Sequence, residues 1–226
     1  MNDITNTLLD CIEIETGPDP RYAVIWLHGL GADGNDFAPI VPELQLSDIG
    51  PIRFVFPHGP VRPVTINNGM AMRAWYDIYM PDLVRREDEA GLRESQQAVE
   101  ALIARENARG IPTERIVLAG FSQGCAMSLQ TGLRHPQKLA GIIGLSGYLP
   151  LAARAPEERH EANAHTPIFL AHGTMDPVVT FDRAEATLDA LQTMGYSVRF
   201  KTYPMPHSVC LEEVNDIAAF LREVLV

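Results

Sequence analysis

The feature that most limits what this chain can fold into is a repeated alternation. Short apolar runs that end in glycine or proline keep giving way to segments with helical spacing. The runs are "YAVIWLHG", "GPIRFVFPHG", "RIVLAG", "LAGIIGLSG", "TPIFLAHG" and "SVRFKTY". All but the last are nearly continuous in apolar residues, the signature of strands covered on both faces. Between them, Leu92, Val99, Leu102 and Ile103 recur at helical spacing from Glu89 to Arg109, with Gly110 as a stop. "CAMSLQTGL", Asp182 to Met194 and Glu212 to Val224 give three further helices. In the last, Val214, Ile217, Ala218 and Leu221 share one face. A short helix is expected within "DGNDFAPIVPELQL", weakened by Pro39 and Pro42. An alternating "CIEIE" reads as a half-exposed edge strand. The pattern predicts an α/β fold: a mostly parallel central sheet with helices on both faces. With 226 residues and no convincing linker or repeat, residues 1–226 are expected to form one domain. Two segments, His58 to Met80 and Tyr148 to Thr166, read as long loops free to carry something other than scaffold.

One strand-to-helix junction carries chemistry. In "VLAGFSQGCA", Ser122 stands between Gly120 and Gly124. A serine presented on a sharp turn after a strand and before a helix needs small residues two positions to either side, where side chains would collide with neighbouring elements. The hydroxyl then projects from the C-terminal edge of the sheet, next to a helix N-terminus that favours developing negative charge. Ser146, in "GLSGY", lacks the second glycine at that offset and reads as a strand-end residue bordering the pocket.

A serine becomes a nucleophile only with a base, and the base needs an orienting carboxylate. Strand-turn-helix serines of this kind are followed along the chain by the acid and then by the histidine. Asp176, in "FLAHGTMDPVV", lies just past a late strand in a turn set by Gly173 and Pro177. Asp182 and Asp189 fall in the next helical pattern. Of the seven histidines, only His207 lies beyond Asp176, in the loop "YPMPHSV". His172 is expected to support the Asp176 turn, His135 to end a helix, and His160 and His165 to lie in a mobile loop. For an oxyanion, the candidate donors are the N–H of Gln123, after the serine, and of Leu30, in the glycine-rich "LHGLGADG". The phosphate-cradling pattern GxxxxGK[ST] is absent. Met70, Met72, Trp75 and Tyr76 are the candidate acyl-pocket wall, with Arg73 also able to face it.

"LHGLGADGNDF", "GFSQGCAMSL", "LSGYLP", "HGTMDPVV" and "YPMPHSV" together resemble the small carboxylesterase and acyl-protein thioesterase family of the α/β-hydrolase fold, from about Tyr22 to the C-terminus. "NNGMAMRAWYDI" is similar to the pocket-bordering loop of its bacterial carboxylesterase branch. The resemblance implies Ser122, Asp176 and His207 as a triad, Leu30 and Gln123 as oxyanion donors, and hydrolysis of short- to medium-chain carboxylic esters without cofactor or metal. Removal of lipid from acylated protein is the alternative, and a non-catalytic binding module of the same fold is the rival from another class. Members of the family include dimers, which leaves a homodimer open. Pro206 departs from the pattern, since many relatives carry a small or polar residue there.

Composition excludes other classes. A net charge of −11 argues against a broad basic surface for nucleic acid or anionic membrane. No apolar stretch approaches transmembrane length, and "MNDITNTLLDC" has no leader-like core, so a cytoplasmic protein without membrane insertion is expected. Three cysteines without CxxC spacing fit reduced thiols.

Overall fold

The computed structural model describes residues 8–80 and 86–225. Most of the N-terminal stretch read for a leader lies outside these. The strands of the main sheet are β1 (Cys11–Glu15), β2 (Tyr22–Leu27), β3 (Ile52–Pro57), β6 (Ile116–Phe121), β7 (Gly141–Leu145), β8 (Ile168–Gly173) and β9 (Val198–Tyr203); β4 (Val61–Val64) and β5 (Met70–Arg73) form a separate hairpin. The helices are α1 (Ile40–Glu43), α2 (Glu89–Ala108), α3 (Gln123–Arg134), α4 (Ala155–Glu158), α5 (Phe181–Thr193) and α6 (Leu211–Val224). The sheet order is β1-β3-β2-β6-β7-β8-β9. Every pairing is parallel except that of the edge strand β1 with β3.

Strand periodicity decides which helix each side chain meets. Ala23, Ile25, Leu27, Ile116 and Leu118 face a core shared with α2, α3 and α5. Val24, Trp26, Val117 and Ala119 face the opposite core, shared with α1 and α6. Both cores exclude water almost completely, which is why these strands lack polar alternation. The half-exposed β1 is fastened by charge. Arg53 on β3 bonds Glu15 at 2.8 Å and the fully buried Glu106 of α2 at 2.7 Å.

The first expected loop is not a loop throughout. Its middle is the β4–β5 hairpin, reversed at Asn68 and Gly69, which both have positive φ. An Asn-Gly pair is the turn chemistry that such a reversal requires, and that dipeptide was the missed signal. Pro63 is tolerated because β4 pairs on one side only. The second expected loop is pinned rather than mobile. The buried Asn163 donates to the carbonyls of His135 and Gln137, at 2.8 and 2.9 Å. It accepts from the Leu139 amide and the Thr166 hydroxyl, at 2.9 and 2.8 Å.

One titration is built into the scaffold. Glu213, in the first turn of α6, is fully buried, and burial pushes its carboxyl up to about 8 from an ordinary 4.5. A raised carboxyl contributes its stability below pH 4.5 and loses it progressively until pH passes about 8. Glu213→Gln is therefore expected to weaken the alkaline loss. Urea unfolding at pH 6 and pH 9 should show a wild-type drop larger than the variant's by on the order of 2 kcal/mol.

Candidate active site

β6 delivers Phe121 to the C-terminal edge of the sheet, and the chain turns at once into α3 through Ser122, whose φ is 56° and ψ −116°. That conformation is strained for a residue with a Cβ. It is held by the Ser122 amide donating to the Leu145 carbonyl at 2.8 Å and by the Ala126 amide donating to Ser122 at 3.2 Å. The flanking glycines are obligatory. A Cβ on Gly120 would strike the carbonyl of Gly124, and one on Gly124 would strike the carbonyls of Leu27 and His28. The Ser122 hydroxyl does not cap α3, so the turn does not consume it.

Asp176 and His207 come from the next two strand ends. Gly173 closes β8 where a Cβ would meet the carbonyls of Met205 and Pro206. The Thr174 amide donates to Tyr203 and that of Met175 to Met205, lacing the two loops together. The Asp176 side chain is fully buried. One carboxylate oxygen accepts from the Val178 and Val179 amides at 2.8 and 3.0 Å; the other lies 2.6 Å from His207 Nδ1. A carboxylate against Nδ1 fixes the proton there and leaves Nε2 as the basic nitrogen. The His207 ring packs tilted, at 47°, against Phe121, the residue before Ser122, with ring centroids 4.7 Å apart. His172 braces the turn through Nε2, 2.8 Å from the Val179 carbonyl and 3.5 Å from Asp176. Burial holds its imidazole below the ordinary histidine range. Pro206 leaves the loop intact, its carbonyl accepting from Ser208 at 2.9 Å.

The loop after β2 meets the same edge. A Cβ on Gly29 would lie 3.4 Å from that of Ser122, which sets the Leu30 amide one residue away. This loop is locked from behind by His28, whose Nδ1 bonds the Gly29 carbonyl at 2.7 Å and whose Nε2 accepts from Gly59 at 2.9 Å. Nε2 can accept only from a neutral ring, and burial lowers the His28 pKa in agreement. The Trp75 indole donates to the His28 carbonyl at 2.9 Å. The Gln123 side chain ties this strap to the elbow, accepting from the Trp75 amide at 3.0 Å and donating to the Tyr76 carbonyl at 2.9 Å. Trp75→Phe is expected to cost about 1–3 kcal/mol, the penalty for stranding a buried carbonyl, in urea unfolding at pH 7.

Ser122 opens into a cavity of about 270 Å³. Leu30, Ile66, Ile78, Val178 and Val179 give it an apolar wall; Asn67, Gln123, Tyr76 and Tyr148 complete it. Of the four residues expected from sequence as the pocket wall, only Tyr76 lines it. Met70 points to solvent from the hairpin, 65% exposed. Met72 sits behind Asn67, whose amide donates to its sulfur at 3.3 Å. Trp75 is fully buried as a brace, and Arg73 bonds the Gly59 carbonyl at 2.8 Å. Ser146 is fully buried at the end of β7 and does not line the cavity either. The missed residues Ile66, Ile78, Tyr148, Val178 and Val179 share one signal: they follow the hairpin turn or a strand's C-terminal end. Two larger hollows, of about 580 and 670 Å³, are open depressions at the opposite end of the sheet, around Glu114 and Lys138.

A family model described as phospholipase/carboxylesterase matches residues 9–225. The chain is 47% identical over 211 residues to acyl-protein thioesterase 1 of Neurospora crassa, covering 89% of this chain and 86% of that protein. To acyl-protein thioesterase 1 of Mycosarcoma maydis it is 41% identical over 229 residues, 95% of each. Among solved structures, Arabidopsis thaliana SOBER1 superposes with a TM-score of 0.87 at 34% identity, over 91% of this chain and 100% of that one. Zea mays acyl-protein thioesterase 2 does so with 0.82 at 27% identity, over 95% and 99%.

Proposed function

The chain belongs to the phospholipase/carboxylesterase family of α/β-hydrolases, which are serine hydrolases, and on that footing we propose that it is an acyl-protein thioesterase acting through an acyl-Ser122 intermediate. The carrying observation is the Asp176–His207 pair, its carboxylate buried, bonded at 2.6 Å and packed beside an elbow whose serine faces an apolar cavity. In this reading His207 Nε2 takes the Ser122 proton as the oxygen attacks the thioester carbonyl. The amides of Leu30 and Gln123 receive the oxyanion. The thiol departs with the proton from His207, and water, activated by the same nitrogen, releases the acid. Asp176 holds the imidazole in its reactive tautomer and offsets its charge.

Two things favour the thioesterase over the small-ester carboxylesterase. The relatives named acyl-protein thioesterase 1 match most of the chain at 36–47% identity. The cavity wall is also apolar for most of its extent, as a lipid chain requires. The test is kcat/KM for an S-octanoyl cysteine peptide against the O-octanoyl serine peptide of the same sequence. The thioesterase reading expects the thioester to lead by at least about tenfold. An oxygen ester turned over equally well, with small alcohol esters better still, returns the chain to the carboxylesterase reading.

A further inference from the structure

The cavity in front of Ser122 is not uniformly apolar. On one side the Tyr76 hydroxyl, from the strap after β5, meets the Tyr148 hydroxyl, from the loop after β7, at 2.9 Å. Both residues are buried, at 2% and 7% exposure, and both line the cavity beside Ile78 and Val179. Burial pushes both phenols above their ordinary range, so both keep their protons at neutral pH. Phenylalanine at these two positions would fill the same space without any polar atom. A hydroxyl buried among aliphatic side chains costs free energy unless it is hydrogen-bonded. A bond between two hydroxyls uses one of their two protons and one of their four lone pairs. A plain hydrocarbon chain that fills the cavity offers the pair no hydrogen bond. An acyl group with an oxygen of its own can accept that proton or donate to a lone pair.

We propose that the Tyr76–Tyr148 pair is a specificity element that selects acyl groups carrying a hydroxyl or keto oxygen along the chain over unsubstituted chains of equal length. This rests on reading the cavity as the acyl site. The volume of about 270 Å³ is at or just below the lower end of ligand pockets, which suits a medium chain and directs the choice of probe.

The experiment compares p-nitrophenyl octanoate with the series of its monohydroxylated isomers, reading the ratio of kcat/KM for each isomer to that for octanoate. The ratio cancels any general change in activity or in active fraction. In the wild type, at least one isomer is expected to exceed octanoate by about fivefold to tenfold, the worth of one added hydrogen bond. In Tyr76→Phe/Tyr148→Phe the ratio for that isomer should fall to one or below, with each single variant between. Octanoate equalling or beating every isomer in the wild type overturns the proposal, and this arm needs no variant to fold. A preference unchanged in the double variant also overturns it. Turnover of octanoate in either case leaves the acyl-site reading standing; no turnover of any member removes that reading and the proposal together.

Discussion

Ser122→Ala is expected to lower kcat on octanoyl thioesters and esters by about 10,000-fold or more, while the unfolding midpoint stays within about 0.5 kcal/mol of wild type. The size follows from what the hydroxyl does in the proposed reaction. It forms the covalent bond, so without it only direct attack by water remains, helped by the oxyanion amides and substrate binding alone. The small effect on stability follows from the elbow. Ser122 is held by its own backbone, through Leu145 and Ala126, and its hydroxyl caps nothing. Alanine meets the same backbone strain at φ 56° as serine does. The two measurements together separate loss of a nucleophile from loss of the fold. Retention of even one-tenth of the wild-type rate would remove Ser122 from the mechanism.

Gly124→Ala is expected to be among the most destabilising glycine-to-alanine changes at the described residues, since its added Cβ makes the shortest backbone clash of any of these glycines. The new carbon would overlap the carbonyls of Leu27 and His28. These are backbone atoms at the end of a central strand, so no rotamer change relieves the clash. Either α3 must lift from β2 or the strand end must move, and both disturb the Gly29–Leu30 loop beside Ser122. The cost should reach about 3 kcal/mol or more. That corresponds to a fall in Tm of roughly 6–12 °C for a chain of this size. Gly17→Ala is the matched control. Its φ is not positive and its Cβ would come no closer than 3.3 Å to the Pro51 ring, so its effect should stay within about 1 kcal/mol. Equal effects at the two positions would contradict the steric account of the elbow.

How far the site could be read from sequence depends on what kind of information each part carries. The strands and most of the helices around Ser122 are written in local periodicity, because each parallel strand is covered on both faces and needs continuous apolar residues. The sequence motif at the elbow is equally local: Gly120, Ser122 and Gly124 answer clashes within five residues and one neighbouring strand. Asp176 and His207 were accessible through chain order, since late strand ends in a parallel sheet converge on one edge. The acyl wall was not. Trp75 and Tyr76 are adjacent and equally aromatic, yet one braces His28 and the other lines the cavity. That difference is set by how the strap packs on Gln123, a contact 47 or 48 residues away in sequence. Met70 and Met72 were assigned to the wall as part of a loop. Once Asn68 and Gly69 reverse the chain into a hairpin, Met70 turns to solvent and Ile66 enters the cavity. Asn163 carries no local signal, because its four partners lie between 3 and 28 residues away in sequence.

The proposed reaction has His207, steadied by Asp176, make Ser122 a nucleophile at the mouth of the cavity. Its most direct test is intact-protein mass after incubation with a fluorophosphonate at pH 8, followed by peptide mapping. One phosphonyl group per chain is expected, on the peptide bearing Ser122, with labelling slowed at least about a hundredfold in His207→Ala. An unlabelled protein, or a label on any other serine, would contradict it.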